Sequence, residues 1–286
     1  MDGAHAPPIP TTKLFQPPVP AELEPRTRRI ERLNRNRQRP LTLISAPAGY
    51  GMTMLASMWL EACDAPSAWV SLDDADNDLQ LFTSYLLAAI QTIFPSQELK
   101  TRSLLRAPGL PLAPVLARYL LQDVEQMTES FILALDDVHL IWDQAVLDLL
   151  SELLHYPSPS MSLVLIGRKD PQLPIASLRA RRQVTEIRAR DLRFTPPETA
   201  RRLGQVLQHD IDIMTAAAWT ERTEGWVAGL LLAALSLRHR DDADAASLKL
   251  PEQSPYLREY LVAEVLVHLP PGRREWLLLT SLLDRF

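Results

Sequence analysis

Two short stretches carry the residue types from which a site for a phosphorylated ligand can be built. In "LTLISAPAGYGMTMLASMWL", residues 41–60, an apolar run ends in a small-residue turn and a helical pattern begins directly after it. Such a turn gathers backbone N–H groups at a helix N-terminus and so cradles an anion without any side chain. Gly49 and Gly51 let the backbone turn and a phosphate approach closely, and Thr53 offers a hydroxyl to Mg²⁺. In "FILALDDVHL" a second apolar run ends in Asp136 and Asp137. The first carboxylate can hold Mg²⁺, directly or through water, and the second can orient an attacking water. "LVLIGR" places Arg168 at the end of a further run, where a guanidinium can meet a terminal phosphate.

The loop "APAGYGMT" departs from the phosphate-binding template G-x-x-x-x-G-K-[ST]: it keeps Gly51 and Thr53, but Ala46 stands for the first glycine and Met52 for the lysine. The candidate set for ATP or ADP is Ala46, Pro47, Ala48, Gly49, Tyr50, Gly51, Met52, Thr53 and Met54. Thr53 and Asp136 are the candidate Mg²⁺ ligands, and Asp136, Asp137 and Arg168 the candidate catalytic residues. Each feature has a plainer reading: an ordinary strand–turn–helix, two acidic residues ending a strand, a solvated loop arginine. Their joint occurrence at the ends of separate apolar runs favours the nucleotide reading.

Those ends coincide only if the runs are parallel strands. Apolar runs at 41–46, 68–72, 131–136 and 162–167 alternate with amphipathic helical patterns, which predicts an α/β domain with a parallel sheet between helices. The Pro-rich residues 1–22 read as an extended arm and the sheet domain as 23–194. From 195 to 240 every segment reads as helix. A polar linker is expected at 241–255 and a further helical unit at 256–286.

The remaining composition narrows the class. A net charge of -5 gives no general pull towards nucleic acid or anionic membrane. The basic run from Arg26 to Arg39 could suggest nucleic acid, but it lacks interleaved aromatics and no groove-reading motif surrounds it, so the plainer reading is favoured. Cys63, the only cysteine, excludes an intrachain disulfide and reads as core; the histidines show no metal-ligand spacing. No apolar run reaches the ~18 residues of a membrane span, and the N-terminus has no signal-peptide core. The expectation is a cytoplasmic chain with no membrane partner.

The pieces, in this order, resemble the N-terminal half of the MalT-like, large ATP-binding LuxR-type transcriptional regulators, a branch of the STAND ATPases. "TKLFQPPVP", "PRTRRIERL", "PLTLISAPAGYG", "AWVSLDDADND", "LALDDVHLI", "RKDPQLPIASLRAR", "LRFTPPE", "TEGWVAGLLLAALSL" and "LREYLVAEVL" through "LLTSLLDRF" all look like family segments, so the resemblance runs from residue 12 to the C-terminus. It implies a P-loop NTPase domain, a helical domain and then the start of a winged-helix domain at 256–286. It also implies an ADP-held resting form and self-association in the ATP form. The family's inducer-binding and DNA-reading parts are expected in segments that follow this stretch, so that the chain is expected to be a fragment and DNA to be a partner only through them. Where the family has lysine and commonly threonine, this chain has Met52 and Met54, while Ala46 agrees with it. The expected function is an ADP/ATP-binding switch impaired in hydrolysis. The alternatives are a nucleotide-free scaffold derived from a P-loop domain and a self-standing ATPase or kinase.

Overall fold

The computed structural model of the chain describes residues 10–23, 26–238, 254–267, 269 and 271–280. By internal contacts the chain divides into two units: Met1–Pro47 with Met52–Leu192, and Ala48–Gly51 with Arg193–Phe286.

The first unit runs through α1 (Thr27–Arg35), β1 (Leu41–Ser45), α2 (Met52–Glu61), β2 (Ser67–Ser71), α3 (Leu79–Ile93), α4 (Thr101–Leu105), α5 (Ala113–Glu125) and β3 (Phe131–Asp136). It continues through α6 (Gln144–His155), β4 (Met161–Gly167), α7 (Ile175–Ala180), β5 (Val184–Arg188) and α8 (Ala189–Leu192). All pairings are parallel and the order is β2-β3-β4-β1-β5. Strands β1 and β3 are buried along their whole length, as a sheet covered by helices on both faces requires of its inner strands. Because the strands are parallel, Ser45, Asp136 and Gly167 all come to the same C-terminal edge, with Ser45 opposite Gly167 and Asp136 opposite Ser71.

The fifth strand was not anticipated. "VTEIR" is short and carries Glu186 and Arg188, so it offers little of the apolar run that marks the inner strands. It closes one edge of the sheet against β1. The basic run before β1 is exposed at Arg28, Arg32, Arg35 and Arg37, yet four of its arginines have backbone partners in the segment from β5 to α8. Arg26 donates to the Leu192 carbonyl (3.0 Å), Arg29 to that of Asp191, Arg32 to that of Glu186 (2.9 Å) and Arg39 to that of Val184 (2.8 Å). These four arginines hold the β5–α8 segment, which supplies the carbonyls left open at an edge strand and a short helix end.

The described part of the arm is also more than extended chain. Thr11–Leu14 forms a 3₁₀ turn, and Lys13 reaches Asp76 at 2.9 and 2.7 Å, Asp73 at 2.8 Å and the face of Tyr85 at 4.8 Å. Asp76 is fully buried, and its carboxylate also accepts the Asp73 N–H (2.7 Å).

In the second unit, α9 (Pro196–Leu207), α10 (Ile213–Arg222), α11 (Val227–Arg238), α12 (Pro255–Tyr260), a π-helical turn over Leu261–Leu266 and α13 (Pro271–Thr280) follow. The Glu198 carboxylate accepts the Thr195 N–H at 2.8 Å and closes a capping box at the start of α9. Leu203, Trp219, Leu230, Ala233 and Ala234 form a small core. Residues 241–253, the expected linker but for its last two positions, lie outside the described residues. Gly225 turns the chain into α11 with φ +67, and a Cβ there would lie 2.6 Å from the Phe194 carbonyl oxygen. Gly225→Ala is expected to lower the unfolding free energy of this unit by about 1–3 kcal/mol, read as the urea midpoint of the helical signal.

Candidate functional site

The apolar run of β1 ends at Ser45, and after six intervening residues α2 opens at Met52. Gly49 (φ +81) and Gly51 (φ +75) both take the left-handed backbone that only glycine adopts without strain. Ala46 is buried, and its N–H is shared between the Gly167 carbonyl (3.4 Å) and the Met52 sulfur (3.0 Å). The Met52 side chain therefore folds back onto the first residue of the loop. A thioether is a weak acceptor and carries no charge, so it cannot donate to a phosphate as an ammonium does.

Across the sheet edge, the Thr53 hydroxyl donates to Asp136 Oδ1 at 3.2 Å. The Asp137 N–H donates to the same oxygen at 3.0 Å, which its own left-handed conformation (φ 57) allows. Asp136 is only 4% exposed, while the Asp137 side chain is half-exposed. Burial raises the Asp136 carboxyl from 3.8 to about 7, with the Asp137 charge adding to it and the Thr53 and Asp137 donors opposing it. A carboxylate held this reluctantly in its charged form gains most from a nearby cation. The half-buried Arg168 directly follows Gly167 and so lies at the same edge.

Thr53, Asp136 and Asp137 are thus brought together, as the sequence reading expects. A second charged cluster at this edge was not foreseen. Asp170 binds Arg188 through both oxygens and Arg179 at 3.2 Å; Glu186 binds Arg179 at 2.8 Å and also Arg188. Arg188 above all, with Ser45 and Arg179, holds the Asp170 carboxyl down at about 2. These residues fall within "RKDPQLPIASLRAR" and the strand after it, where no chemical spacing marks them.

The residues fit the Mg²⁺ and nucleotide requirement in part. Thr53 and Asp136 form an oxygen pair suited to a hard cation that keeps waters and phosphate oxygens as its other ligands. No group of three or more His, Cys, Asp or Glu suited to a metal occurs among the described residues, so an all-protein cage is not the model. Met52 supplies no phosphate contact of the kind the template lysine gives.

Sheet order, glycine loop and paired carboxylates define the class: a P-loop ATPase fold, an α/β sheet domain followed by helices. No family model matches the chain. Over 245 residues, 85% of this chain and 27% of the relative, it is 31% identical to the HTH-type transcriptional regulator MalT of Serratia proteamaculans. Identity to the Klebsiella pneumoniae protein of the same name is 32%, over 90% of this chain and 29% of the relative. The serine/threonine-protein kinase PknK of Mycobacterium tuberculosis is 31% identical over 98% of this chain and 25% of its own length. The chain thus spans about a quarter of the curated relatives it matches. Among solved structures, a Walker-type ATPase of Pyrococcus abyssi superposes with TM-score 0.53 at 18% identity, covering 90% of this chain and 76% of the other. A STAND protein with a tetratricopeptide repeat sensor from Pyrococcus horikoshii gives 0.52 at 16%, covering 94% and 36%. The chain is MalT-like in sequence and a P-loop ATPase in fold. None of the helices among its described residues is long and apolar enough to cross a membrane.

Proposed function

We propose that this chain is the nucleotide-binding switch module of a longer cytoplasmic MalT-type transcriptional regulator, taking ADP or ATP with Mg²⁺ and impaired in hydrolysis by Met52. The observation that carries this reading is the Thr53–Asp136 pair, set at the strand edge where the glycine loop opens α2. The relatives support the word module: a regulator and a kinase share this stretch over about a quarter of their lengths, so their separate named activities point to other parts of those chains.

In this reading residues 23–194 bind the nucleotide, 195–240 form the helical domain and 256–286 begin a winged-helix domain. The loop amides from Ala46 to Met54 hold phosphate, Thr53 and Asp136 hold Mg²⁺, Asp137 orients a water and Arg168 meets the terminal phosphate. Bound Mg²⁺ supplies positive charge against the phosphate oxygens. Self-association in the ATP form, and DNA contact through other parts of the longer protein, complete the proposal. The second reading, a nucleotide-free scaffold, draws on the Met52 sulfur seated on the Ala46 N–H.

Titration calorimetry separates the two. Weak ADP binding is expected in the wild type, and Met52→Lys should tighten it about ten- to hundredfold, the worth of one charge-assisted hydrogen bond. Equal affinity in both forms, or none in either, leaves the scaffold reading standing. Phosphate release should be close to background; steady turnover that Asp136→Ala abolishes would show that Met52 does not impair hydrolysis.

A further inference from the structure

The segment "TEGWVAGL", residues 223–230, has no part in the site described so far. Its residues are nonetheless shaped around the glycine loop. Gly229 leaves room for an indole against α11, since a Cβ there would lie 2.4 Å from Trp226 Cε3. From that seat Trp226 Nε1 donates to the Ala48 carbonyl at 3.0 Å. The Ala228 N–H, one of the first donors of α11 that lack a partner within the helix, donates to the Gly49 carbonyl at 3.0 Å. The Trp226 ring also lies 5.9 Å from that of Tyr260. A Cβ on Gly49 would come within 2.6 Å of both Trp226 Nε1 and Ala228 Cβ, and 3.0 Å from the Tyr260 hydroxyl. The loop tip Ala48–Gly51 accordingly belongs, by its contacts, with the helical unit.

A trans peptide is planar, with its C=O and N–H pointing in opposite directions. Holding the Ala48 and Gly49 carbonyls on α11 therefore turns the N–H groups of Gly49 and Tyr50 to the other side of the loop, where a phosphate cradle needs donors. We propose that Trp226 and Ala228 are positioning residues for the phosphate-binding amides of the loop, and that α11 is the element through which the helical unit senses an occupied loop. This rests on the nucleotide reading of the same loop. It gives Trp226 more weight here than a lysine-bearing loop would, because with Met52 in place the cradle depends on backbone donors. By reciprocity, a ligand that fixes these amides also strengthens the grip of α11 on the loop.

The test uses Trp226→Phe in the full chain, in the wild-type and Met52→Lys backgrounds, with ADP and adenosine as probes. In the ligand-free protein, amide hydrogen exchange across residues 46–54 should rise about three- to tenfold, as loss of one or two hydrogen bonds predicts. ADP affinity should fall by a similar factor in the wild-type background and by less in the Met52→Lys background while adenosine binding stays the same, a contrast that general loosening would not produce. Unchanged exchange overturns the proposal. Raised exchange with unchanged ADP affinity overturns its phosphate part. If neither background binds ADP, the nucleotide reading fails by itself and the ligand-free exchange alone decides the anchoring. Should Trp226→Phe fold poorly, Gly49→Ala forces the same contact apart from the loop side and must raise exchange in the same residues.

Discussion

Asp136→Asn is expected to stabilise the Mg²⁺-free chain by about 2–4 kcal/mol at pH 8 and to flatten its stability between pH 4 and 7. The Asp136 carboxyl, buried beside Asp137, is raised from 3.8 to about 7. Between those values the folded chain holds a proton that the unfolded chain has released. Stability from this group is therefore fully present below about pH 4 and is lost as pH rises through 7. Above that, the folded chain carries a buried charge to which, among the described residues, the Thr53 hydroxyl and the Asp137 N–H donate. Asparagine keeps an oxygen for both donors and removes the charge. At roughly 2–4 °C per kcal/mol for a unit of this size, the midpoint at pH 8 should rise by several degrees. Mg²⁺ should stabilise the wild type and leave the variant unchanged. A variant less stable than wild type at pH 8 would show that the carboxylate is better solvated than its 4% exposure implies. The proposed switch calls for a group that destabilises its own fold until a cation is bound, so the Mg²⁺ arm of this measurement tests that proposal.

How far this was legible in the sequence follows from what each element owes to local pattern. β1, β3 and β4 were legible because inner parallel strands are buried on both faces and read as near-continuous apolar runs. Thr53 and Asp136 were legible because the strand–loop–helix order and the run ending in carboxylates fix their places at one edge. β5 was hidden because an edge strand tolerates Glu186 and Arg188, whose partners on Asp170 and Arg179 lie in other segments. The anchoring of Ala48 by Trp226 spans 178 residues, and no local spacing reports such a contact. "TEGWVAGL" could be singled out as specific, yet the reason for each of its residues is tertiary. The role of the basic run was hidden for a related cause: the acceptors of Arg26, Arg29, Arg32 and Arg39 are backbone carbonyls of β5 and α8, which no side-chain pattern reveals.

Lys13 was hidden for the same reason, 63 residues away from the carboxylate it serves, and Lys13→Ala should cost the first unit about 3–5 kcal/mol, the range for leaving a buried ion-pair partner alone. The Lys13 side chain is 16% exposed and that of Asp76 not at all, so water cannot replace the ammonium. Asp73, half-exposed at the rim, adds little of its own. Burial works against the Lys13 charge, but the two carboxylates outweigh it and raise its pKa. The contribution is therefore present below 10.5 and is lost only as pH climbs through the raised value. For Asp73, burial is outweighed by Lys13 together with the Ala75 N–H, so its pKa is lowered and its share is lost as acid protonates it below its ordinary 3.8. The contact should hold across neutral pH and weaken at both extremes. A double-mutant cycle distinguishes loss of the pair from loss of packing by the lysine stem. Asp76→Asn retains an acceptor for the Asp73 N–H and carries no charge, so in the Lys13→Ala background it should recover most of the lost stability, read as the urea midpoint. Recovery locates the cost in the stranded carboxylate. If Lys13→Ala alone leaves the midpoint within ~0.5 kcal/mol of wild type, the arm does not hold Asp76 in solution, and the buried carboxylate finds its compensation within the Asp73–Asp76 turn.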